Sequence, residues 1–522
     1  MLIQHVETDN LSVDLVSSEA HLDFKENYYT ILVGANGRGK SRILEAIAVS
    51  GIMFQLLDEK QEVCKYSFNI NSSMYYLMHS DFKNIKMSFI SSDARKVNAI
   101  TAKHFFYKFE GFVQITEQEQ SPNTIFYGEY IKYDEVDSIV CLSNGSFDRF
   151  PSLSEDMLWK DEVVEYFNLS NLECIKKSGG RREFSVVNML SKEILSTFFA
   201  DQNSFEKGLD FLNSFGFTDE ISITLRLNDR LDGIGYDGID DRERFLLSYK
   251  SYNRWHEAEI TPELEAIVDE TLKELKKDIP KESLSLIRDM PSSLWDMVET
   301  KEYKFNRQSN VNTTFYRNIN ILSEHGVLQL KDISFSKENG QVTKLNSMSS
   351  GEVNVLLTLF RINSKIKDNS LVLIDEPEIS LHPAWQRNVI PAIERCFSRF
   401  KGCHFIIATH SPQVVSSIPE SNSSVIILGE NNKTVPGFIF KGMSADHLLF
   451  STLDSPGEHN EYAVRMLTTI LAKLNLRKKL SAKEALFLER AIELYPLDHK
   501  DDEYVSIRHL LKQVIGLYTF EG

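Results

Sequence analysis

Eight residues near the start of the chain, Gly34-Ala35-Asn36-Gly37-Arg38-Gly39-Lys40-Ser41, have the composition of a loop that holds phosphate. Three glycines let a backbone wrap closely enough to aim its N–H groups at phosphate oxygens. A helix starting at the loop's end adds a positive partial charge. Lys40 stands where a fixed cation reaches the β- and γ-phosphates, and Ser41 offers a hydroxyl to Mg²⁺. Gly34, Asn36, Gly37, Gly39, Lys40 and Ser41 are therefore the candidate nucleotide-binding residues. An ordinary glycine-rich turn would share the glycines but not the Lys-Ser pair that closes them.

A second constellation supplies acids. The apolar run Leu371-Val372-Leu373-Ile374 ends in Asp375-Glu376. Adjacent carboxylates at a strand end can divide two tasks: Asp375 joins Ser41 on Mg²⁺, and Glu376 polarises the attacking water as a general base. Taken alone, the pair reads equally well as a solvated acidic turn; the phosphate loop decides for catalysis. A third apolar run, Phe405 to Ala408, leads into Thr409-His410-Ser411-Pro412. His410 is placed to contact the γ-phosphate or the water. Glu376, His410 and Lys40 form the expected catalytic set.

These residues need strands and helices to hold them. Roughly alternating apolar residues predict strands over 1–33, ending in YYTILV, and an apolar-periodic helix from Ser41 to about Leu57. The pattern returns after 320, with a helix starting near Ser350 and strands at 371–374, 404–408 and 424–428. A helix is expected within 381–400, with Pro383 at its start and Pro391 as a kink. The fold class is therefore α/β, with strand-like pieces in 83–140 (KMSFI, KHFFYKF, NTIFYGEYIKY) and a mostly helical insertion at 151–320. The clearest insertion helix starts with Thr261 as N-cap and Pro262 behind it; Leu264, Ile267, Val268, Leu272 and Leu275 line one face. No sustained heptad runs through the insertion, which excludes a long coiled-coil arm. Residues 1–150 and 321–441 then form two parts of one head. Residues 442–522 read as a helical region for packing or partner binding, with Met466, Ile470 and Leu474 on one face and Leu486, Leu488 and Ile492 near another.

The formal charge of −17 weighs against bulk attraction to DNA or an anionic membrane. Two short basic clusters, Lys176/Lys177/Arg181/Arg182 and Arg477/Lys478/Lys479, read first as solvated surface. Cysteines at 64, 141, 174, 396 and 403 are too scattered for a disulfide framework or a zinc site. No run approaches the roughly 20 apolar residues that span a bilayer, and no signal peptide is read at the start. The expectation is a cytoplasmic protein with reduced thiols.

Met348-Ser349-Ser350-Gly351-Glu352 resembles the signature loop of the ABC-type ATPase superfamily, and it precedes the acidic strand as that family requires. The resemblance implies ATP and Mg²⁺ as cofactors and homodimeric head-to-tail pairs. In such pairs Ser349 and Gly351 of one head contact the γ-phosphate held by the other. Glu378-Ile379-Ser380-Leu381-His382-Pro383 and Gly442-Met443-Ser444-Ala445-Asp446 are similar to motifs of the RecF-like and OLD-like ATPases. OLD nucleases add a Toprim domain. Here Glu430 could imitate one of its acids, but Asp498, Asp501 and Asp502 fall in a polar turn between helices. An ATPase with no nuclease of its own resembles the ATPase subunits of Septu anti-phage systems, which work beside an HNH nuclease, and next the ATPase of PARIS. That resemblance implies a higher oligomer controlling a separate nuclease effector. The alternatives are a RecF- or SMC-like repair ATPase that binds DNA directly, and a non-hydrolysing ATP-gated scaffold.

Overall fold

The computed structural model describes residues 2–8, 11–19, 22–23, 25–35, 37–56, 84–90, 97–103, 127–129, 138–144, 150, 166–169, 194, 202–227, 246, 261–275, 301–309, 313–324, 328–379, 381–457, 459–497 and 505–520. Asn36, the acids 498–502, the cluster 176–182, Cys64 and Cys174 lie outside them. Two compact units divide the chain: Met1–Lys176 with Lys365–Gly522, and Lys177–Ser364.

The first unit is built on two sheets. Strands β1 (Leu2–Thr8), β2 (Leu11–Asp14) and β3 (Tyr28–Gly34) open the chain. They are followed by β4 (Asn84–Ile90), β5 (Val97–Lys103), β6 (Tyr127–Glu129), β7 (Ile139–Ser143) and β8 (Tyr166–Asn168). An antiparallel sheet has the order β2-β1-β4-β5-β6.

The larger sheet needs the later strands β13 (Leu371–Asp375), β14 (His404–Ala408), β15 (Ser423–Leu428) and β16 (Lys433–Pro436). Its order is β16-β15-β3-β14-β13-β7-β8. All its pairings are parallel except the edge pair β15–β16. A parallel sheet covered on both faces explains why β3, β13 and β14 are continuous apolar runs, buried at every position, rather than alternating ones.

Side-chain direction still alternates along these strands. Leu32, Leu371, Leu373, Ile406, Ala408, Ile426 and Leu428 share one core with Ile43, Leu44, Ile47 and Ala48 of the helix Lys40–Leu56. Ile3, Val6, Val13 and Leu15 of the antiparallel sheet region join the same core. Each such leucine, isoleucine or valine, fully buried, contributes about 1.5–3 kcal/mol. The helix that follows the phosphate loop is therefore held by two sheets. On the other face, Phe405 stacks on Tyr29 and on Phe397, the last residue of the helix Pro383–Phe397.

The C-terminal helices Glu461–Asn475, Ala482–Leu494 and Val505–Phe520 bury Leu467, Ile470, Leu474, Phe487, Leu488, Ala491, Ile507, Leu511 and Val514 in a core of their own. The expected face of the middle helix needs correcting. Leu488 is buried, but Leu486 and Ile492 are exposed, at 68% and 41%, and Phe487 and Ala491 turn inward in their place. Ser481 and Glu484 close a capping box at this helix's start, and Lys473 pairs with Glu484 at 2.5 Å.

The second unit carries β9 (Ile221–Leu227), β10 (Lys301–Phe305), β11 (Leu328–Ser336) and β12 (Val342–Lys344) in one antiparallel sheet, order β10-β9-β11-β12. Among the described residues of 151–320, strands β8, β9 and β10 stand beside the helices Gln202–Phe215 and Pro262–Leu275 and the start of Thr313–Glu324. In ISITLRL, Ile221, Ile223, Leu225 and Leu227 recur every second residue, a strand period that a helical reading of the region passes over. Thr261 does cap its helix, its hydroxyl accepting the Leu264 N–H at 3.2 Å. Leu264, Val268 and Thr271 are buried. The helix Ser350–Lys365 belongs to this unit up to Ser364, and its Phe360 meets Phe211 edge-on at 5.5 Å.

Candidate nucleotide-binding site

Strand register brings the expected residues to one edge of the parallel sheet. Leu32 is level with Ala408, Ala408 with Asp375, and Gly34 with Leu428. The phosphate loop, the acids and the Thr409-His410 turn therefore leave adjacent strands at the same height, at their C-terminal ends. Ligands of open parallel sheets bind at such an edge.

Gly34 is required by closeness. Its φ is +153°, and a Cβ there would sit 2.8 Å from the Leu428 carbonyl oxygen and 3.1 Å from the Leu428 Cβ. Gly39 turns with φ +93°, a left-handed conformation that a side chain resists. Gly37 is left-handed as well, at +79°. Lys40 begins the helix and is buried. Its Nζ donates to the carbonyl oxygens of Gly34 at 2.8 Å and Ala35 at 3.3 Å, so the lysine arches over its own loop. Burial pulls its pKa down to about 8, against the opposing pull of Asp375, Glu376 and Glu378. Ser41 follows, half-buried in the helix's first turn.

Asp375 ends β13, buried, and its carbonyl accepts the Asn144 N–H. Glu376 then adopts φ +51°, a left-handed backbone for a residue with a Cβ. That conformation costs roughly 1–2 kcal/mol, and such strain gathers at functional sites. The Glu376 N–H stays bonded to the Ala408 carbonyl at 2.9 Å. Its Oε1 lies 3.8 Å from His410 Nε2, and the other ring nitrogen, Nδ1, lies 3.5 Å from Lys40 Nζ. Burial, then the Lys40 charge, lowers the His410 pKa, so the ring is neutral at neutral pH. A neutral ring accepting at Nδ1 carries its hydrogen on Nε2, toward Glu376.

The oxygen donors fit a hard cation. Ser41 brings a hydroxyl and Asp375 a buried carboxylate, and the charge on Asp375 acts on the neighbouring Lys40. Mg²⁺ is commonly held by one or two carboxylates plus substrate phosphates, and needs no all-protein cage. Among the described residues no group of three or more His, Cys, Asp or Glu could hold a metal unaided, and Glu430 is exposed.

The signature loop, in the second unit, has a local explanation. Ser349 caps the helix Ser350–Lys365 in a full capping box. The Ser349 N–H and hydroxyl both donate to Glu352 Oε2 at 2.8 Å, and the Glu352 N–H returns to Ser349 Oγ at 3.3 Å. Gly351 is buried in the first turn. His382 likewise caps its helix, accepting the Ala384 N–H at Nδ1, with Pro383 in the first position. Gly442, at φ +72°, turns the chain before Ser444 caps the helix Ala445–Ser451. The thiols of Cys396 and Cys403 are buried and pushed up to about 12, which leaves them unreactive.

One residue of the site went unassigned from the sequence. Glu378, two places after Glu376, is half-buried behind the loop, and its Oε1 accepts the His410 backbone N–H at 2.6 Å. A third acid in the turn Asp375-Glu376-Pro377-Glu378 was the available signal.

Residues 16–415 match the AAA ATPase domain family, which is most of the chain. The chain belongs to that family. Its fold is α/β, with a mainly parallel sheet carrying the phosphate loop at its C-terminal edge. This AAA ATPase is 36% identical over 117 residues to the retron Ec83 probable ATPase of Escherichia coli, covering 20% of this chain and 21% of that protein. It is 22% identical over 421 residues to the retron Vc95 probable ATPase of Vibrio cholerae, covering 77% and 69%. Protein ea59 of Escherichia phage lambda is 38% identical over 97 residues, 18% of each chain. The match thus spans about a fifth of the Ec83 protein and of ea59. Among solved structures, an SMC head bound to the C-winged helix domain of ScpA aligns with a TM-score of 0.29 and 12% identity over 83% of this chain and 97% of that one. No helix among the described residues is long and apolar enough to cross a membrane.

Proposed function

We propose that this chain is a Mg²⁺-dependent ATPase whose nucleotide cycle governs a separate nuclease effector in anti-phage defence. The observation that carries the ATPase reading is the meeting of Lys40, His410 and Glu376 at one sheet edge, with contacts of 3.5 and 3.8 Å along the line. Lys40 exchanges its loop carbonyls for phosphate oxygens when ATP binds, at a loop whose N–H groups favour anions. Glu376 accepts the proton of the attacking water, and His410 orients it. Mg²⁺ bound through Ser41 and Asp375 would neutralise charge developing on the phosphates.

Two retron probable ATPases among the relatives support a defence role. The HNH partner of Septu systems is the arrangement the sequence favours. Head-to-tail pairing follows from the signature loop. Direct DNA binding has less support, because the net charge is −17.

The test is to purify the chain alone and with the product of its neighbouring gene. Each sample is incubated with plasmid DNA and Mg²⁺, with and without ATP, while phosphate release is followed. ATP hydrolysis by the lone chain, with cleavage only in the pair, is expected. Cleavage by the lone chain that survives Glu376→Gln would overturn the division of labour. Absent hydrolysis would overturn the ATPase reading itself.

A further inference from the structure

Glu378 sits outside the roles just proposed, yet its surroundings are unusual. It follows Glu376 by two residues in the turn that leaves β13, and its carbonyl accepts the Leu381 N–H at 3.0 Å. The side chain turns inward, half-buried as a whole, with its Oε2 shielded from solvent. Oε1 accepts the backbone N–H of His410 at 2.6 Å, a short bond. Oε2 is buried and has no hydrogen-bond partner among the described residues. Shielding part of an acid from water, beside the Glu376 carboxylate, is costly and raises its pKa. Packing alone would be better served by an apolar residue.

The bond spans two strand ends. Glu378 is fixed by the turn after β13, whereas His410 follows β14. The backbone already joins these turns once, through the Glu376 N–H and the Ala408 carbonyl. That single bond sets the height of Ala408 and leaves the three residues beyond it to their own contacts. Thr409 is held by its N–H to Leu32, and Ser411 by its hydroxyl to Gln386 at 2.7 Å. Between them, the backbone N–H of His410 goes to Glu378. His410 is thus anchored by the same turn that carries Glu376, the residue its ring faces.

We propose that Glu378 is a positioning residue for ATP hydrolysis, holding the His410 backbone so that its ring stands between Lys40 and Glu376. This rests on the ATPase reading above. What the role demands of Glu378 is an acceptor oxygen at that place, not a negative charge. A glutamine supplies the same oxygen and a shorter or apolar side chain does not.

The test compares Glu378→Gln and Glu378→Ala with the wild type and with His410→Ala. Steady-state ATP hydrolysis should fall at least about 30-fold in kcat for Glu378→Ala, within the range of a misplaced catalytic group. KM should change little, and Glu378→Gln should stay within about threefold of wild type. Glu378→Ala should add almost nothing to His410→Ala, because both act through one ring. A second arm needs no turnover. In nucleotide-free protein with ¹⁵N-histidine, the His410 amide, assigned by its loss in His410→Ala, should appear far downfield. It should move upfield in Glu378→Ala and hold its place in Glu378→Gln. Equal losses in the Gln and Ala variants, or additive losses with His410→Ala, would overturn this role while leaving the ATPase intact. Wild-type protein that binds ATP without hydrolysing it would overturn the underlying reading and this one together. A folding defect is separated from both by thermal unfolding of each variant.

Discussion

Glu376 Oε1 stands 3.8 Å from His410 Nε2, although the two residues leave different strands. The distance is longer than a hydrogen bond. Glu376→Gln should still bind ATP but hydrolyse it at least about 100-fold more slowly, the scale of a lost general base. Phosphate release at saturating ATP measures it. Release at the wild-type rate would move the base elsewhere, with His410 the first candidate.

The strain at Glu376 has a separate consequence. Its φ of +51° is natural for glycine and costly for glutamate. Glu376→Gly should abolish hydrolysis yet stabilise the fold by about 0.5–1 kcal/mol, offset in part by glycine's extra freedom when unfolded. Glu376→Gln keeps the Cβ and should leave stability near wild type. Chemical denaturation of the three proteins distinguishes them. A destabilised Glu376→Gly would show that the turn is not under backbone strain.

Lys40 predicts both a loss and a pH dependence. Lys40→Ala should remove most ATP affinity, since the ammonium is the cation the loop presents. In the nucleotide-free protein burial lowers its pKa to about 8. Below that value the lysine is already charged and binding is at full strength. Above it, binding must first protonate the amine, so affinity falls as pH rises through about 8. Calorimetric titration across that range is the measurement. A wild-type affinity that stays level from neutral to alkaline pH would remove Lys40 from phosphate contact.

How far the site could be read from the chain depends on how local its causes are. The glycines, Lys40, Asp375 and Glu376 announce themselves because phosphate binding and strand-end acids need fixed residue types at short spacing. The strands at 371–375, 404–408 and 423–428 were legible as apolar runs bounded by turns. β7 was not, because IVCLS is short and only its pairing beside β13 makes it part of the parallel sheet. The Ser349–Glu352 capping box lay in plain view as S-x-x-E, but the family likeness drew attention to the phosphate instead. Glu378 escaped for a different reason. Its role depends on a bond to a residue 32 positions away, which no spacing rule encodes.

His404 offers a test of the core. It is fully buried in β14, its Nδ1 accepting the Ile3 N–H at 3.2 Å and its Nε2 bonded to Thr30 Oγ1 at 2.9 Å. Thr30 in turn donates to the Leu15 carbonyl. Burial, and then the positive N-terminus, pulls the His404 pKa from 6.5 down to about 3. The unfolded chain takes up a proton below about 6.5 and the folded chain does not. Stability is therefore intact above that pH and declines as pH falls toward about 3, by at most about 1.4 kcal/mol per pH unit. His404→Gln should be less stable at neutral pH but lose less on acidification. Urea unfolding at several pH values gives both slopes, and identical slopes would mean that His404 titrates normally.

The last prediction concerns the signature loop. Ser349 and Gly351 lie in the compact unit 177–364, while the phosphate loop lies in the other. If each ATP is held between the phosphate loop of one chain and the signature loop of a second, defects in the two loops should complement. Lys40→Ala spoils one half of every site and Ser349→Arg the other. A mixed pair assembles one site with both halves intact, so ATPase activity should rise on mixing two inactive proteins, toward a quarter of wild type at equal amounts if chains exchange at random and sites work independently. The capping box complicates the second variant, because losing the Ser349 cap costs about 1 kcal/mol of helix stability. Ser349→Asp supplies the control: it restores a capping oxygen but places negative charge where a γ-phosphate would approach. It should therefore fold like wild type, fail alone and be rescued by Lys40→Ala. Activity is followed while one variant is titrated into the other, with subunit exchange verified by a tag pull-down. Exchange without rescue would mean that the signature serine does not serve a neighbour's nucleotide and that its visible task, capping the helix Ser350–Lys365, is its whole task.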